Sequence, residues 1–211
     1  MSPDASSSPT DATGAGVAAL DRLAERLLAA AAPLRVDVAR APEEREAIFR
    51  LRYEHVVGRG WARAEDLPEG LERDRHDNGA LQIAAWDGDA LVGTVRLVLP
   101  EADRRLPCEE AFEVEIEPRG HVVEVGRLLI AERYRGEPSH RAWGALFARC
   151  WLETRAAGFA VLGGVASAAL VERFRALGLA FEILGPARPY WGEQRHPVRL
   201  DPDAGSRQRW F

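Results

Sequence analysis

The sequence predicts an α+β fold: a mixed central sheet flanked by helices. Three observations carry that prediction. Short runs of strand character stand between segments whose apolar residues recur at helical spacing. The two patterns follow one another irregularly, with adjacent strands in one place and helix-separated strands in another, which calls for both antiparallel and parallel pairing. At 211 residues and 46% hydrophobic, the chain is long enough for one domain with a sizeable core.

Taken in order, residues 1–15 are Ser, Pro, Asp, Gly and Ala without apolar period and read as a disordered tail. From Val17, the spacing of Leu20, Ala24, Leu27 and Leu28 predicts an amphipathic helix to about Ala32. Residues 34–39 alternate as a strand, and Pro42 with Glu43 and Glu44 opens a second helix running to about Val57. A loop with Trp61 and an acidic stretch follows, then a hairpin of 81–86 and 91–99 joined through Asp87-Gly88-Asp89. A polar insertion, 100–120, leads to a central strand at 121–131. Next come a helix with Trp143, Leu146, Phe147, Cys150 and Trp151 that ends at Gly158, a strand at 160–165, and a helix capped by Ser167 and closed by Gly178. Residues 181–184 and 197–200 are the last strands, so a single domain is expected over 16–205 with a short tail at 206–211.

Composition excludes several function classes. A net charge of -5 argues against nucleic acid as a partner, and no apolar run is long enough to span a bilayer. Cys108 and Cys150 fit neither a disulfide framework nor a zinc site. With an N-terminus that lacks a signal-peptide pattern, this leads to the expectation of a cytoplasmic protein. All 28 Lys-plus-Arg positions are Arg, so no lysine amine is available as a nucleophile.

Charged residues in apolar patterns mark the candidate site. On the second helix Arg52 falls at the centre of the face made by Ile48, Phe49, Leu51 and Val56. It is either a snorkelling edge residue or a buried charge that needs an anion. Arg96 shares a strand face with Val92, Thr94 and Val98. In the central strand, Glu124 and Arg127 are three apart and so face opposite sides unless a bulge at Gly126 intervenes. A bulge there would put both on one face and free a backbone N–H for an oxyanion; an ordinary core ion pair is the competing reading. Asp74 and Asp77 flank His76, but no second ligand cluster supports a metal, and none is expected.

Leu51-Arg52-Tyr53, Trp61, Asp74 with Asp77, Gly93-Thr94-Val95-Arg96-Leu97 and Glu124-Val125-Gly126-Arg127-Leu128 together resemble the ordered motif series of acyl-homoserine-lactone (autoinducer) synthases. The series is also similar to that of N-acyl amino acid synthases, both being acyltransferases of the GNAT fold. The resemblance covers roughly residues 45–135. It implies an N-acyltransferase that moves a fatty acyl group from acyl carrier protein or coenzyme A to the amine of an amino acid or an S-adenosylmethionine-like acceptor, with no tightly bound cofactor.

By the same resemblance, Glu124 and Arg127 are catalytic, while Arg52, Trp61, Asp74, Asp77 and Arg96 bind substrate. Gly126, Leu128, Arg133, Arg135 and Gly136 would contact the donor. The stretch Arg133-Tyr134-Arg135-Gly136-Glu137-Pro138 departs from the usual pyrophosphate loop, because Pro138 removes a donor and Glu137 adds a negative charge. That departure favours a carrier-protein donor, whose acidic surface Arg133, Arg135 and Arg141 could meet. Two alternatives stand: an acetyl-CoA-dependent N-acetyltransferase of a small amine, and a non-catalytic acyl-binding module.

Overall fold

A computed structural model describes residues 14–134 and 136–204. Of the stretches read as tails, 206–211 lies wholly outside these residues, and of 1–15 only Gly14 and Ala15 lie within them. Ala15 opens the first helix, α1 (Ala15–Ala29), which stops short of Ala32. It is followed by β1 (Arg35–Val38) and α2 (Pro42–Gly58), which has Pro42 and two glutamates in its first turn. The hairpin is β2 (Leu81–Asp87) and β3 (Ala90–Val98), with Gly88 at φ 58° supplying the left-handed turn residue.

The insertion read as irregular contains a one-and-a-half-turn helix, α3 (Pro107–Phe112). Its local signal is slight: Pro107 at the start, and Glu109 accepting from the Leu106 N–H at 2.9 Å. Then come β4 (Val122–Ile130), α4 (Glu137–Ala156), β5 (Val161–Ala166) and α5 (Ala168–Ala176), whose N-cap Ser167 accepts from the Leu170 N–H. The chain closes with β6 (Glu182–Ile183), β7 (Arg188–Tyr190) and β8 (Glu193–Leu200). β7 and the first half of β8 were not expected as strands.

The strands form one mixed sheet in the order β1-β2-β3-β4-β5-β8-β6, with β7 paired to β8. Only β4 and β5 run parallel, joined through α4 as a β-α-β unit. Side-chain alternation sorts the core into two layers. Ile83 and Ala85 of β2 join α1 and α4 in one cluster, whereas Ala84 joins Ile48, Phe49 and Leu51 of α2 in another. The sheet is therefore sandwiched, with α1 and α4 on one side and α2 on the other. A register shift between β2 and β3 at Ala85/Trp86 reverses the alternation near Val92. Val92 consequently enters the α4 layer, so it does not share a face with Arg96 as the simple alternation implied.

Trp151 anchors the α1–α4 layer. It is fully buried, and its indole N–H donates to Asp21 of α1 at 2.7 Å. Trp151→Ala should cost about 3–5 kcal/mol in urea unfolding. A loss under about 1 kcal/mol would show that this layer contributes little to the fold.

Candidate active site

The site begins with a problem of charge burial. Arg52, on the inward face of α2, is fully buried, and Arg96 of β3 is 1% exposed. Neither can be left unpaired. Their partners come from the segment between α2 and β2, which is tied to α2 by the Glu72 N–H donating to the Phe49 carbonyl at 3.0 Å. Asp74 and Asp77 lock this segment into a short turn by reciprocal capping: Asp74 accepts from the His76 N–H at 2.8 Å, and Asp77 accepts from the Asp74 N–H at 2.7 Å.

The Arg52 guanidinium then pairs with both Asp77 oxygens, at 2.8 and 3.1 Å, while its Nε donates to Glu72. Arg96 donates to Asp74 at 2.7 Å and lies 3.2 Å from Asp77. Arg127 completes the cluster, with Glu72 and Asp74 each accepting from its Nη2 at 3.0 Å. Three arginines thus meet three carboxylates, and the forked pairs give the cluster a fixed geometry. Burial alone would raise the Asp77 pKa, but hydrogen bonds and charge from Arg52, then the charge of Arg96, hold it well below the carboxylate range. Glu72 and Asp74 are lowered too: burial opposes this, but Arg127 and Arg52 outweigh it at Glu72, and Arg96 and Arg127 at Asp74.

Arg127 reaches the cluster because β4 carries one extra residue. Thr94 pairs with Leu129 and Arg96 with Gly126, so two residues of β4, Arg127 and Leu128, lie opposite one of β3. The bulge is thus centred one residue beyond Gly126, and Arg127 takes φ 54°, a left-handed conformation that strains a residue with a Cβ. It brings Arg127 round to the side of the sheet that Glu124 and Gly126 share with Arg96.

Glu124 does not form the core ion pair that was the competing reading of its spacing from Arg127. It joins none of the ion pairs; its Oε2 accepts from the Cys108 N–H of α3 at 2.8 Å, and the carboxylate is 3% exposed. Burial pushes its pKa up, an effect only partly offset by Cys108 and by the charges of Arg96 and Arg127. Glu72, two residues before Asp74, is the third carboxylate of the cluster in its stead. The signal that could have found it is stoichiometric, since three inward arginines require three acids besides a free base.

Beside Glu124 the sheet opens. β4 and β5 pair only as far as Val125 and Gly164, although both strands continue. A cavity of about 180 Å³ passes through the gap. On the α4 side it is lined by Trp143, Phe147, Leu162, Phe174 and Phe181, and on the α2 side by His55, Trp61, Arg127, Tyr190, Trp191 and Arg195. Glu124, Gly126 and Leu128 line its waist. Tyr190, Trp191 and Arg195 belong to the β7–β8 hairpin, whose turn Trp191-Gly192 has both residues at positive φ. The Arg127 guanidinium stacks on the Trp191 ring at 4.6 Å.

Of the residues expected at the site, Glu124, Gly126, Arg127, Leu128 and Trp61 line this cavity, and Arg52, Arg96, Asp74 and Asp77 do not. Asp77 is 3% exposed and accepts from Arg52, Gln82 and the Asp74 N–H, which leaves it no free lone pair for an acceptor's ammonium. Asp74 faces a separate recess with Arg45 and Arg73. These four residues position Arg127 instead. Arg133 turns away as well, donating to the Leu91 carbonyl at 2.8 Å beside a recess that contains Glu43 and Glu46. Gly136 is the exposed N-cap of α4, and Arg135 lies outside the described residues.

A family profile described as an acetyltransferase (GNAT) domain matches residues 51–143. No curated protein matches the sequence. Among solved structures, the coenzyme A-dependent acyl-homoserine lactone synthase BjaI, with S-adenosylmethionine and isopentyl-CoA, aligns at 22% identity and a TM-score of 0.63, covering 82% of this chain and 84% of its own. FeeM, an N-acyl amino acid synthase from uncultured soil microbes, aligns at 20% identity and 0.62, covering 84% and 95%. The coenzyme A-dependent acyl-homoserine lactone synthase MesI aligns at 27% identity and 0.58, covering 76% and 82%.

The cluster and Glu124 should respond to pH with opposite signs. Folded-state pKa values of Glu72, Asp74 and Asp77 are depressed, so their stabilisation is complete above about pH 5 and is lost as pH falls through the folded values. Arg52→Met should cost about 3–5 kcal/mol at pH 7, and the deficit should shrink in acid as the stranded acids protonate. Because the Glu124 pKa is raised, its charge is a burden at neutral pH. Glu124→Gln should keep or raise the urea midpoint at pH 7, and a marked drop there would contradict the geometry described.

Proposed function

We propose that this chain, whose fold is that of acyl-homoserine lactone synthases and of an N-acyl amino acid synthase and whose residues 51–143 match an acetyltransferase (GNAT) profile, transfers a fatty acyl group from a phosphopantetheine thioester to the amine of a small acceptor in the cavity between β4 and β5. The observation that carries this reading is the cavity's passage through the sheet. An acyl chain fits the aromatic and aliphatic wall on the α4 side, an acceptor fits the polar end on the α2 side, and the two meet at Glu124 and the β4 bulge. Holding the reactants there supplies much of the acceleration through proximity.

Glu124 is the general base. An acceptor amine is protonated at neutral pH and must lose a proton to attack, and a carboxylate whose pKa is raised by burial accepts protons better than an exposed one. The amine then adds to the thioester carbonyl. The oxyanion lies against the edge of β4 beyond Val125, where no β5 residue is paired, and the tetrahedral intermediate collapses with loss of the thiol. Arg127, neutralised by Glu72 and Asp74 and stacked on Trp191, shapes the acceptor end. Trp61 and the hairpin shield the reaction from water.

The donor's carrier is a protein-bound or coenzyme A-bound pantetheine arm. The α4 entrance favours the former, because Pro138 and Glu137 in its first turn make a poor cradle for a pyrophosphate.

Thiol release from an acyl-CoA and acyl-carrier-protein series, measured with amino acids and S-adenosylmethionine as acceptors, tests the reading. Glu124→Gln should lower kcat/KM by about 100-fold or more. The wild-type rate should rise with pH above the ordinary carboxylate range, reflecting the raised Glu124 pKa, and the variant should lose that limb. Unchanged activity in Glu124→Gln would remove Glu124 as the base, and no turnover with any donor would leave an acyl-binding module.

A further inference from the structure

We infer that Arg195, near the start of β8, recognises the acceptor by pairing with a carboxylate that the acceptor carries beside its amine. The inference rests on the acyl-transfer reading and adds to it the residue that selects, among amine acceptors, those that carry a carboxylate over a polyamine or a lysine side chain.

The first ground is charge. Two guanidinium groups line the cavity, those of Arg127 and Arg195. Arg127 is committed to the buried Glu72 and to Asp74. The ion-pair partner of Arg195 is Glu193, two residues away on the same strand, at 3.2 Å and with a 43% exposed side chain. Such a pair is weak, and a ligand carboxylate displaces it at little cost. The Arg195 Nε–H, shielded from water, has no hydrogen-bond partner among the described residues. A ligand carboxylate takes the place of Glu193 on the terminal nitrogens of Arg195, whose side chain is 22% exposed.

The second ground is fixed placement. The Arg195 guanidinium lies over the Trp61 ring at 5.4 Å. Trp61 is in turn pressed against the hairpin turn so closely that a Cβ on Gly192 would fall 2.0 Å from the indole. Arg188 pairs with Arg195 in the hairpin ladder, so strand register and indole together hold the guanidinium in position.

The third ground is polarity. Glu124 is the one carboxylate among the cavity's lining residues. An acceptor with its ammonium at Glu124 and its carboxylate at Arg195 matches the charge of the site at both ends, and a dication does not. His55 sits beside Arg195, and its pKa is lowered, by burial first and then by Arg59, so it adds no competing positive charge at neutral pH.

The test uses two ligands that differ in the carboxylate alone, N-octanoyl-L-phenylalanine and N-octanoylphenethylamine, titrated calorimetrically into the full-length protein. The wild type should prefer the acid by about tenfold or more. Arg195→Ala should bind the two alike, and Arg195→Lys should regain part of the preference, which a merely structural role of Arg195 would not produce. Equal binding by the wild type, binding of neither, or a preference that survives in Arg195→Ala overturns the inference. Weakened coenzyme A binding in Arg195→Ala with the preference intact also overturns it, by assigning the residue to the donor's phosphates. A carboxylate preference without acyl transfer from any thioester supports the Arg195 assignment and sinks the acyl-transfer reading; transfer without the preference sinks only the assignment.

Discussion

Charged groups leave water only in company, and two buried arginines and a half-buried third, held by the buried Glu72 and Asp77 and the half-buried Asp74, set the terms for this whole side of the molecule. Arg52 comes from α2, Arg96 from β3 and Arg127 from β4, while Glu72, Asp74 and Asp77 all come from one loop. The cluster therefore staples a loop with little apolar content onto a helix and two strands. An apolar core of similar volume could match its stability, but it would not hold the Arg127 side chain in one orientation. What the cluster supplies is direction, and the strained backbone at Arg127 is tolerated because four hydrogen bonds to Glu72 and Asp74 fix the side chain beyond it.

With Arg127 so held, the parting of β4 from β5 becomes useful. Gly163 and Gly164 allow close approach up to the last shared pair: a Cβ on Gly164 would lie 2.6 Å from the Val125 carbonyl oxygen, and one on Gly163 would lie 2.9 Å from a Val122 methyl. Beyond that point the strands separate, and apolar side chains from α4 and α5 meet polar ones from α2 and the C-terminal hairpin through the gap. A sheet is normally a barrier between two layers of core. Here it has an aperture, with a buried carboxylate at its rim.

Glu124 shows the tension between stability and chemistry that such a rim imposes. It is buried without a guanidinium partner, although Arg96 and Arg127 are near enough to lower its pKa somewhat. Had it joined the cluster as a core ion pair with Arg127, it would have been held ionised and made a poor base. Glu72 occupies that place, which leaves Glu124 costly to ionise and correspondingly ready to take up a proton. The same separation recurs at the far end of the cavity, where among the described residues the ion-pair partner of Arg195 is an exposed glutamate, while Arg127 is held by Glu72 and Asp74.

By itself the sequence determined what depends on neighbours along the chain. The periodicities of α1, α2 and α4, the proline and acidic first turn of α2, the β2–β3 hairpin and the inward placement of Arg52 follow from local geometry. The need for a β4 bulge was legible because Glu124 and Arg127 could not otherwise share a face. Tertiary structure alone decided which acid meets which arginine, since pairing energy depends on distances between segments that sequence spacing does not contain. It also decided that α3 forms, that its Cys108 N–H holds Glu124, and that 188–195 folds back as a hairpin over Trp61. A six-residue helix and a three-residue strand carry too little periodic signal to be read from the chain. What holds them is contact with segments distant in the chain: the Cys108 N–H donates to Glu124, and Arg195 and Gly192 pack against Trp61.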